Sequence, residues 1–298
     1  MTDKLQYGLV SIIIPFYNRV ELTIRSIKSV EDQSYRNWEL ILVNDGSTDD
    51  ISDIKSYIAS DERIRLIQYQ PNKGLSNALN TGLDAVTGDY IAFLDSDDTW
   101  NPLKLEKQLN FMHDNNYNAS HTNYIRIATD GKKTETIDLT NIDGGLFKHF
   151  RHSCIIATPC VIVKREFWGD QRFPLGIDYG LDIITWMEFE CRGEWGLLPE
   201  VLANIYIGEG SVFQNKYKQQ LGAIEILRYA LRKPEWIVYQ DDIGVMVHWF
   251  ATLFPNPSVS VPRPGIFRRL LWSLKANGLF GTLKKIISKI RRNENKVK

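Results

Sequence analysis

The first third of the chain alternates short apolar runs with segments whose apolar residues recur at helical spacing. The first run, residues 9–14, is rich in β-branched side chains, which is typical of a strand buried on both faces of a parallel sheet. We expect Pro15 to end this strand. Further strands are predicted at 38–43, 64–68 and 90–94, with helices at 20–30, 49–59 and 75–86. This alternation predicts an α/β fold with a doubly wound, mostly parallel sheet flanked by helices.

The regular alternation ends after Pro102. A helix is predicted to about residue 115, followed by a hairpin of residues 120–128 and 134–139, which Asp130 and Gly131 turn. Another helix is predicted across 182–191. Strands are expected around this helix within 143–213, and from about residue 214 helical patterns dominate until a linker punctuated by prolines.

These changes of pattern predict three regions. The main domain is expected at 1–213, and it divides into a first half at about 8–108 and a second half at 109–213. A helical extension at 214–262 and a basic amphipathic tail at 263–298 are expected to follow.

Polar residues cluster where three of the predicted strands end. Tyr17 and Asn18 follow the first strand, Asp45 follows the second, and the acidic run 95–98 follows the fourth. In open α/β sheets, ligands bind beyond the carboxyl ends of the strands. We therefore expect these residues to line one cleft.

The acidic run places the carboxylates of Asp95, Asp97 and Asp98 within four residues. Their mutual repulsion is costly unless a cation neutralises it. Mg²⁺ or Mn²⁺, held by one or two carboxylates together with substrate phosphate oxygens, suits such a group. The alternative is an acidic turn that caps the helix beginning near Pro102, and the run alone favours neither interpretation.

The run 44–49 also permits two interpretations. Thr48 or Asp49 is expected to cap the following helix. A cap does not account for Asp45, whose carboxylate should point from the strand end toward the cleft, where it can accept a hydrogen bond from a base N–H. Tyr17 would add an aromatic wall or a hydroxyl for the same nucleoside, although a lone Tyr after a strand is more often ordinary packing.

Four blocks of sequence, taken in order, strongly resemble the glycosyltransferase family 2 domain. They are VSIIIPFYN at 10–18, LVNDGSTD at 42–49, NKGLSNALN at 72–80 and GDYIAFLDSDD at 88–98. The resemblance is strong to about residue 108 and extends weakly to 213. It implies a GT-A fold and an inverting, nucleotide-sugar-dependent transferase that uses a divalent cation, Mn²⁺ or Mg²⁺.

The resemblance also implies roles for individual positions. Asp45 would recognise the base, Asp95 would approach the ribose and the metal, and Asp97 would ligate the metal. Asp45 favours uracil, so a UDP-sugar is the expected donor. The other positions expected to border the nucleotide are Pro15, Tyr17, Asn18, Gly74, Asn77 and Ser96.

The catalytic base is expected near the start of the helix at 182–191. By resemblance, Asp182 matches the base and Trp186 matches a wall of the acceptor site, but Leu181 replaces the usual Glu. Asp178 is the competing base, because on a helix it would share a face with Asp182.

A second departure from the family pattern is Gly208, where many relatives carry His. Glu209 or water would then complete the metal site. These departures leave a non-catalytic sugar-nucleotide binder or scaffold as an alternative. A nucleotidyltransferase is a further alternative, although the first strand is not followed by a glycine-rich basic loop. The GxGxxG motif of an NAD-dependent oxidoreductase is absent there.

The charges are balanced overall, with 36 Lys and Arg against 36 Asp and Glu, which gives no sign of a nucleic-acid partner. The basic residues are concentrated in the tail at 263–298, which holds eleven of them and one acidic residue, Glu294. Basic amphipathic segments bind anionic membrane surfaces. The alternative is a solvated helical face packed on the main domain.

The three cysteines have no metal-binding spacing, and the sequence contains no predicted membrane-spanning helix. We expect a cytoplasmic protein attached peripherally to the inner face of the cell membrane. Its acceptor is expected to be a saccharide or a lipid-linked saccharide, in bacterial surface polysaccharide or lipopolysaccharide synthesis.

Overall fold

The computed structural model describes residues 7–130, 134–140, 156–177, 179–192 and 195–208, together with Gly222, Glu225, Ile226 and Tyr229. The predicted basic tail, nearly all of the predicted helical extension and the domain boundary at 213 lie outside the described residues. Asp178 and Glu209 also lie outside them.

The first half of the chain forms four parallel strands in the order β3-β2-β1-β4. The strands are β1 (Val10–Phe16), β2 (Trp38–Asp45), β3 (Ile64–Tyr69) and β4 (Tyr90–Phe93). The connecting helices are α1 (Val20–Glu31), α2 (Ser52–Ile58) and α3 (Leu75–Asp84). The predicted alternation and α/β fold class are confirmed.

The first strand does not end at Pro15, as the sequence predicted, but continues to Phe16. The carbonyl of Ile13 accepts a hydrogen bond from the N–H of Leu94. Backbone groups of alternate residues point to the same side, so Pro15 also faces β4. Pairing between β1 and β4 stops at Ile13, and the missing N–H of Pro15 therefore costs no bond in the sheet.

The second half of the chain extends this sheet in the order β4-β8-β6-β9-β5, with β7 paired to β6. Its strands are β5 (Thr99–Trp100), β6 (Ala119–Ala128), β7 (Thr134–Ile137), β8 (Ile162–Lys164) and β9 (Gly196–Ile207). Its helices are α4 (Lys104–Asp114), α5 (Arg165–Trp168) and α6 (Leu181–Arg192). The pairings here are antiparallel except between β6 and β9. The predicted pairing of the two hairpin strands and the predicted helix at 182–191 are confirmed, and Gly131 of the predicted turn lies outside the described residues.

Alternate side chains of the central strand β1 enter two separate apolar cores. Ile13 packs with residues of α3 and α6, whereas Ile12 and Ile14 pack with residues of α1, α2 and α4. All three side chains are fully buried. The sheet is thus covered on both faces. Within the described part of the chain, every helix is too short or too polar to cross a membrane.

Candidate active site

The side chain of Asn18 joins the loops that follow β1 and β2. Its Oδ1 accepts hydrogen bonds from the backbone N–H groups of Thr48, at 2.9 Å, and Asp49, at 3.2 Å. Its own backbone N–H donates to Oγ of Ser47 at 2.8 Å. Asn18 has a φ of 58°, a left-handed conformation that Asn adopts more readily than most residues. The structure therefore gives Asn18 a bracing role at the edge of the predicted nucleotide site.

The predicted helix cap at Thr48 or Asp49 is wrong, because the helix begins further along the chain. Helix α2 begins at Ser52, and the residue at its N-cap position, Ile51, makes no side-chain cap. Thr48 and Asp49 lie upstream of the helix, where their N–H groups donate to Asn18. At the start of the helix, the N–H of Ser52 donates instead to Oδ1 of Asp50 at 2.9 Å.

Asp45 lies at the end of β2 with 4% of its surface exposed. Its two carboxylate oxygens accept hydrogen bonds from the backbone N–H groups of Lys73, at 2.8 Å, and Gly74, at 2.9 Å. The carboxylate thereby anchors the loop between β3 and α3. Each oxygen keeps a further lone pair, so the contact with a base N–H stays a prediction.

A glycine permits the close approach of these two loops. A Cβ atom on Gly46 would lie 2.5 Å from the backbone nitrogen of Asn72, and Gly46 has a φ of 72°. The side-chain amide of Asn72 donates to the carbonyl of Asp45 at 2.8 Å. Backbone and side chains thus lock the loops after β2 and β3 together.

The other predicted nucleotide residues lie at the same ends of the strands. Pro15 is buried near the end of β1, and Tyr17 follows with 45% of its surface exposed. Asn77, in the first turn of α3, donates from its amide to the carbonyl of Lys73 at 2.6 Å. Ser96 is buried in the acidic run. Their contacts with a nucleotide stay predictions.

The acidic run after β4 has unfavourable electrostatic surroundings. Burial, together with the negative charges of Asp97 and Asp182, raises the pKa of Asp95 to about 7, while Arg19 opposes this shift. Burial and the neighbouring carboxylates of Asp95 and Asp97 raise the pKa of Asp98 well above its ordinary value. Negative charges therefore converge on this end of the sheet.

The acidic run does not cap α4, which was the alternative interpretation. Helix α4 begins at Lys104, and the residue at its N-cap position, Leu103, makes no side-chain cap. The carboxylate of Asp98 instead accepts the backbone N–H of Tyr206 at 2.9 Å. Asp98 thereby ties the acidic run to the end of β9.

Two arginines contact the acidic run, and sequence reasoning missed both. The guanidinium of Arg19 lies 2.5 Å from Oδ2 of Asp97. Arg25 donates to the backbone carbonyl of Asp97 and stacks 3.9 Å above the ring of Tyr206. A signal existed for Arg19, because a cation at a helix N-terminus opposes the helix dipole and indicates a nearby anion.

Asp182 lies in the first turn of α6, and its Oδ1 accepts the N–H of Ile183 at 2.8 Å. Its negative charge contributes to the raised pKa of Asp95, so the start of α6 lies close enough to the acidic run for the two carboxylates to interact. The structure thus brings the predicted base toward the predicted metal ligands. The competing base, Asp178, lies outside the described residues.

Trp186, the predicted acceptor wall, has none of its surface exposed. It packs against Phe93, Trp168 and Phe173 in the core on the α3 and α6 face. This is the position of a packing residue that holds α6 against the sheet. The predicted acceptor contact would require this surface to become exposed.

The carboxylates present fit a cation that the substrate helps to bind. In the described part of the chain, no group of three or more His, Cys, Asp or Glu side chains has the arrangement of a complete metal site. Mg²⁺ is usually held by one or two carboxylates plus substrate phosphates and water, which is the donor set that Asp95 and Asp97 offer. Gly208 adds no ligand, since it has no side chain.

Residues 11–167 match the family model described as Glycosyl transferase family 2. An uncharacterised glycosyltransferase of Rickettsia bellii is 40% identical over 223 residues, which cover 74% of this chain and 32% of that protein. The chain therefore spans about a third of the length of that relative. WfgD of Escherichia coli, a UDP-Glc:alpha-D-GlcNAc-diphosphoundecaprenol beta-1,3-glucosyltransferase, is 45% identical over 248 residues, which cover 81% of this chain and 96% of WfgD.

Among solved structures, residues 1–349 of S. aureus TarS in complex with UDP-GlcNAc are similar to this chain with a TM-score of 0.66. The sequence identity is 16%, and the match covers 82% of this chain and 72% of the TarS chain. This similarity shows the GT-A fold, in which a mixed sheet is flanked by helices.

Proposed function

Because this chain belongs to glycosyltransferase family 2, we propose that it transfers a sugar, a hexose or N-acetylhexosamine, from a nucleotide-sugar to an acceptor hydroxyl with inversion. The expected donor is a UDP-sugar and the expected acceptor is a saccharide or lipid-linked saccharide. Similar proteins are glycosyltransferases of cell-surface polysaccharide synthesis, and the name of WfgD specifies a UDP-sugar and a diphosphoundecaprenol acceptor. We place this protein in the same kind of pathway.

One observation carries the proposal. The acidic run after β4 and Asp182 of α6 are distant in sequence, yet the charge of Asp182 acts on Asp95. A glycosyl transfer that inverts the anomeric carbon needs a charge-neutralising group for the leaving diphosphate and a base for the acceptor hydroxyl. The two parts of this site supply candidates for both.

Family 2 enzymes are generally associated with divalent cations. Asp97 and Asp95 are the residues that would hold Mn²⁺ or Mg²⁺ here. When bound, the cation would neutralise charge that develops on the departing nucleoside diphosphate.

Asp182 is the proposed base. Its carboxylate would accept the proton of the acceptor hydroxyl while the hydroxyl oxygen forms a bond to the anomeric carbon and the bond to the diphosphate breaks. A single displacement of this kind inverts the anomeric carbon. Asp178 remains the alternative base.

The test of the base is a transfer assay of the full chain with UDP-glucose, Mn²⁺ and a GlcNAc-diphosphate-lipid acceptor. General-base removal typically costs about a hundredfold to ten-thousandfold in rate, and Asp182→Asn should show a loss in this range with donor affinity retained. The matched control is Asp84→Asn, since Asp84 is an exposed carboxylate at the end of α3, paired with Arg172. Near-normal transfer by Asp182→Asn, together with loss in Asp178→Asn, would move the role to Asp178.

The donor is tested by thermal unfolding with UDP-, TDP- and GDP-sugars, with and without Mn²⁺. A ligand that binds only the native state raises the melting temperature. The largest increase should come from a UDP-sugar with Mn²⁺. Binding without transfer or donor hydrolysis would instead favour the non-catalytic binder, and stabilisation only by a nucleoside triphosphate would favour a nucleotidyltransferase.

We also propose that the basic tail at 263–298 attaches the protein peripherally to the anionic inner face of the cell membrane. The full chain should co-sediment with vesicles that contain anionic lipids and not with neutral vesicles. Replacing Lys284, Lys285 and Lys289 together by Gln should weaken this binding. A control triple replacement of Lys28, Lys55 and Lys133 should not, and equal loss in both variants would contradict a role specific to the tail.

A further inference from the structure

The ion pair between Arg19 and Asp97 occupies the carboxylate proposed as the metal ligand. The guanidinium lies 2.5 Å from Oδ2 of Asp97. Both side chains are partly exposed, 56% of the Arg19 side chain and 31% of the Asp97 side chain. An ion pair with this exposure can exchange its partner without disrupting a packed core.

The backbone around Arg19 is unusual for an arginine. Arg19 has a φ of 61° and directly follows Asn18, which has a φ of 58°. Left-handed conformations at non-glycine residues cluster at functional sites. Arg19 is also the N-cap of α1, where a positive charge opposes the helix dipole. Neither feature helps α1 to fold, so the position of this cation calls for another explanation.

The neighbouring arginine shows that the acidic loop is already anchored. Arg25 donates to the backbone carbonyl of Asp97 and stacks on Tyr206. Ser26 donates to the carbonyl of Asp98 at 2.7 Å. These contacts hold the backbone of the acidic run, whereas Arg19 contacts a carboxylate oxygen. Arg19 is therefore not required to shape the loop.

We propose that Arg19 is a second cation of the donor site, which pairs with Asp97 until a metal ion binds there and then moves its guanidinium to the diphosphate of the donor. The inference rests on the proposed function, because it assumes a metal at Asp97 and a nucleoside diphosphate beside it. Arg19 is in this view a substrate-binding residue that the sequence motifs of the site do not include.

Electrostatics favours this exchange. A divalent cation and a guanidinium on the same carboxylate repel each other, so binding of one weakens binding of the other. A released guanidinium would find its best partner in phosphate oxygens, which match its planar donor fork. Gly208 carries no side chain where many relatives carry His, and among the described residues a Cβ there would meet only Thr129, at 3.5 Å. Arg19 would supply the positive charge that this position lacks.

The proposal predicts that Arg19→Gln changes the affinities for Mn²⁺ and for UDP in opposite directions. Without nucleotide, the variant should bind Mn²⁺ about fivefold or more tightly than the wild type, because the competing cation is gone. With saturating Mn²⁺, it should bind UDP about tenfold more weakly, because a charge-assisted contact to phosphate is lost. Mn²⁺ electron paramagnetic resonance measures the first affinity, and calorimetry measures the second.

Two matched variants control this experiment. Lys28→Gln removes the same charge from an exposed position of α1 and should leave both affinities unchanged. Arg19→Lys keeps a cation and should restore most of the competition with Mn²⁺. A purely structural role of Arg19 would weaken both affinities together, or neither, and either result would overturn the proposal.

Asp97→Asn separates this inference from the proposed function. If Asp97→Asn leaves Mn²⁺ binding unchanged in the presence of UDP, the proposed metal site itself is wrong. If Asp97→Asn weakens Mn²⁺ binding while Arg19→Gln leaves Mn²⁺ affinity at the wild-type value, the metal site stands and the exchange is wrong.

Discussion

The loops after β2 and β4 both carry acidic residues at the same end of the sheet, but their carboxylates have opposite surroundings. Asp45 accepts two backbone N–H groups from the loop between β3 and α3. Asp95 is buried near the negative charges of Asp97 and Asp182, which raise its pKa. The fold itself stabilises the first charge, whereas the second is stabilised fully only by an added cation. An acidic residue at a strand end therefore anchors a loop where backbone N–H groups surround its carboxylate. It is suited to bind a cation where other carboxylates surround it.

The largest expected effect is on catalysis, and it belongs to the loop after β4. Asp97→Asn should reduce kcat/KM for transfer by at least about a hundredfold, because a neutral amide neither ligates the cation well nor lets it neutralise the leaving diphosphate. Steady-state assays with UDP-glucose and Mn²⁺ measure this loss, with Asp84→Asn as the control. Full activity of the wild type in excess EDTA would contradict this contrast between the two loops, because the loop after β4 would then need no cation.

The second expected effect is on stability, and it belongs to the loop after β2. Asp45→Asn should lower the free energy of unfolding by about 2 kcal/mol, because an amide can accept from only one of the two N–H groups and loses the charge. In a chain of this size the melting temperature should fall by about 3 °C. Thermal unfolding without ligand tests this, and an unchanged melting temperature would show that Asp45 is not an anchor.

The smallest expected effect has the opposite sign and depends on pH. Asp95→Asn should raise the free energy of unfolding by about 1 kcal/mol at pH 8 in EDTA, because it removes a buried charge beside two others. The folded pKa of Asp95, about 7, exceeds the ordinary value of 3.8. The protonated carboxyl therefore makes its full contribution to the free energy of unfolding below about pH 3.8. This contribution is lost as the pH rises through 7.

Asp95→Asn resembles the protonated form at every pH, so its advantage over the wild type should shrink from pH 8 to pH 5. Unfolding by urea at the two pH values measures this difference. A destabilised variant, or an equal gain at both pH values, would show that Asp95 is not held in an electrostatically unfavourable position.

Much of the fold could be predicted from local patterns. The apolar runs located the four parallel strands, and helical periodicity located α1, α3 and α6, because burial on a sheet or a helix face imposes these periods on the sequence itself. The prediction for Pro15 was wrong because its effect depends on which neighbour its missing N–H would face. The predicted caps at Thr48 and Asp49 were wrong because the helix begins only at Ser52, whose N–H donates to the carboxylate of Asp50.

The candidate site was also predicted in part from local sequence patterns. Sequence position placed Asp45, Asp95 and Asp97 at strand ends, and the family motifs pointed to Asp182. Nothing local indicated that Trp186 would be fully buried, since an aromatic residue on a helix near a site can face either the core or the cleft.

The sequence alone determined the order of strands and helices and the gathering of polar side chains at one end of the sheet. The tertiary structure decided which partner each of those side chains meets. Asp45 finds its donors 28 and 29 residues away, and Asp97 finds Arg19 at a separation of 78 residues. Contacts over such separations depend on how the whole sheet assembles. For that reason two acidic loops that look alike in sequence have different surroundings in the folded protein.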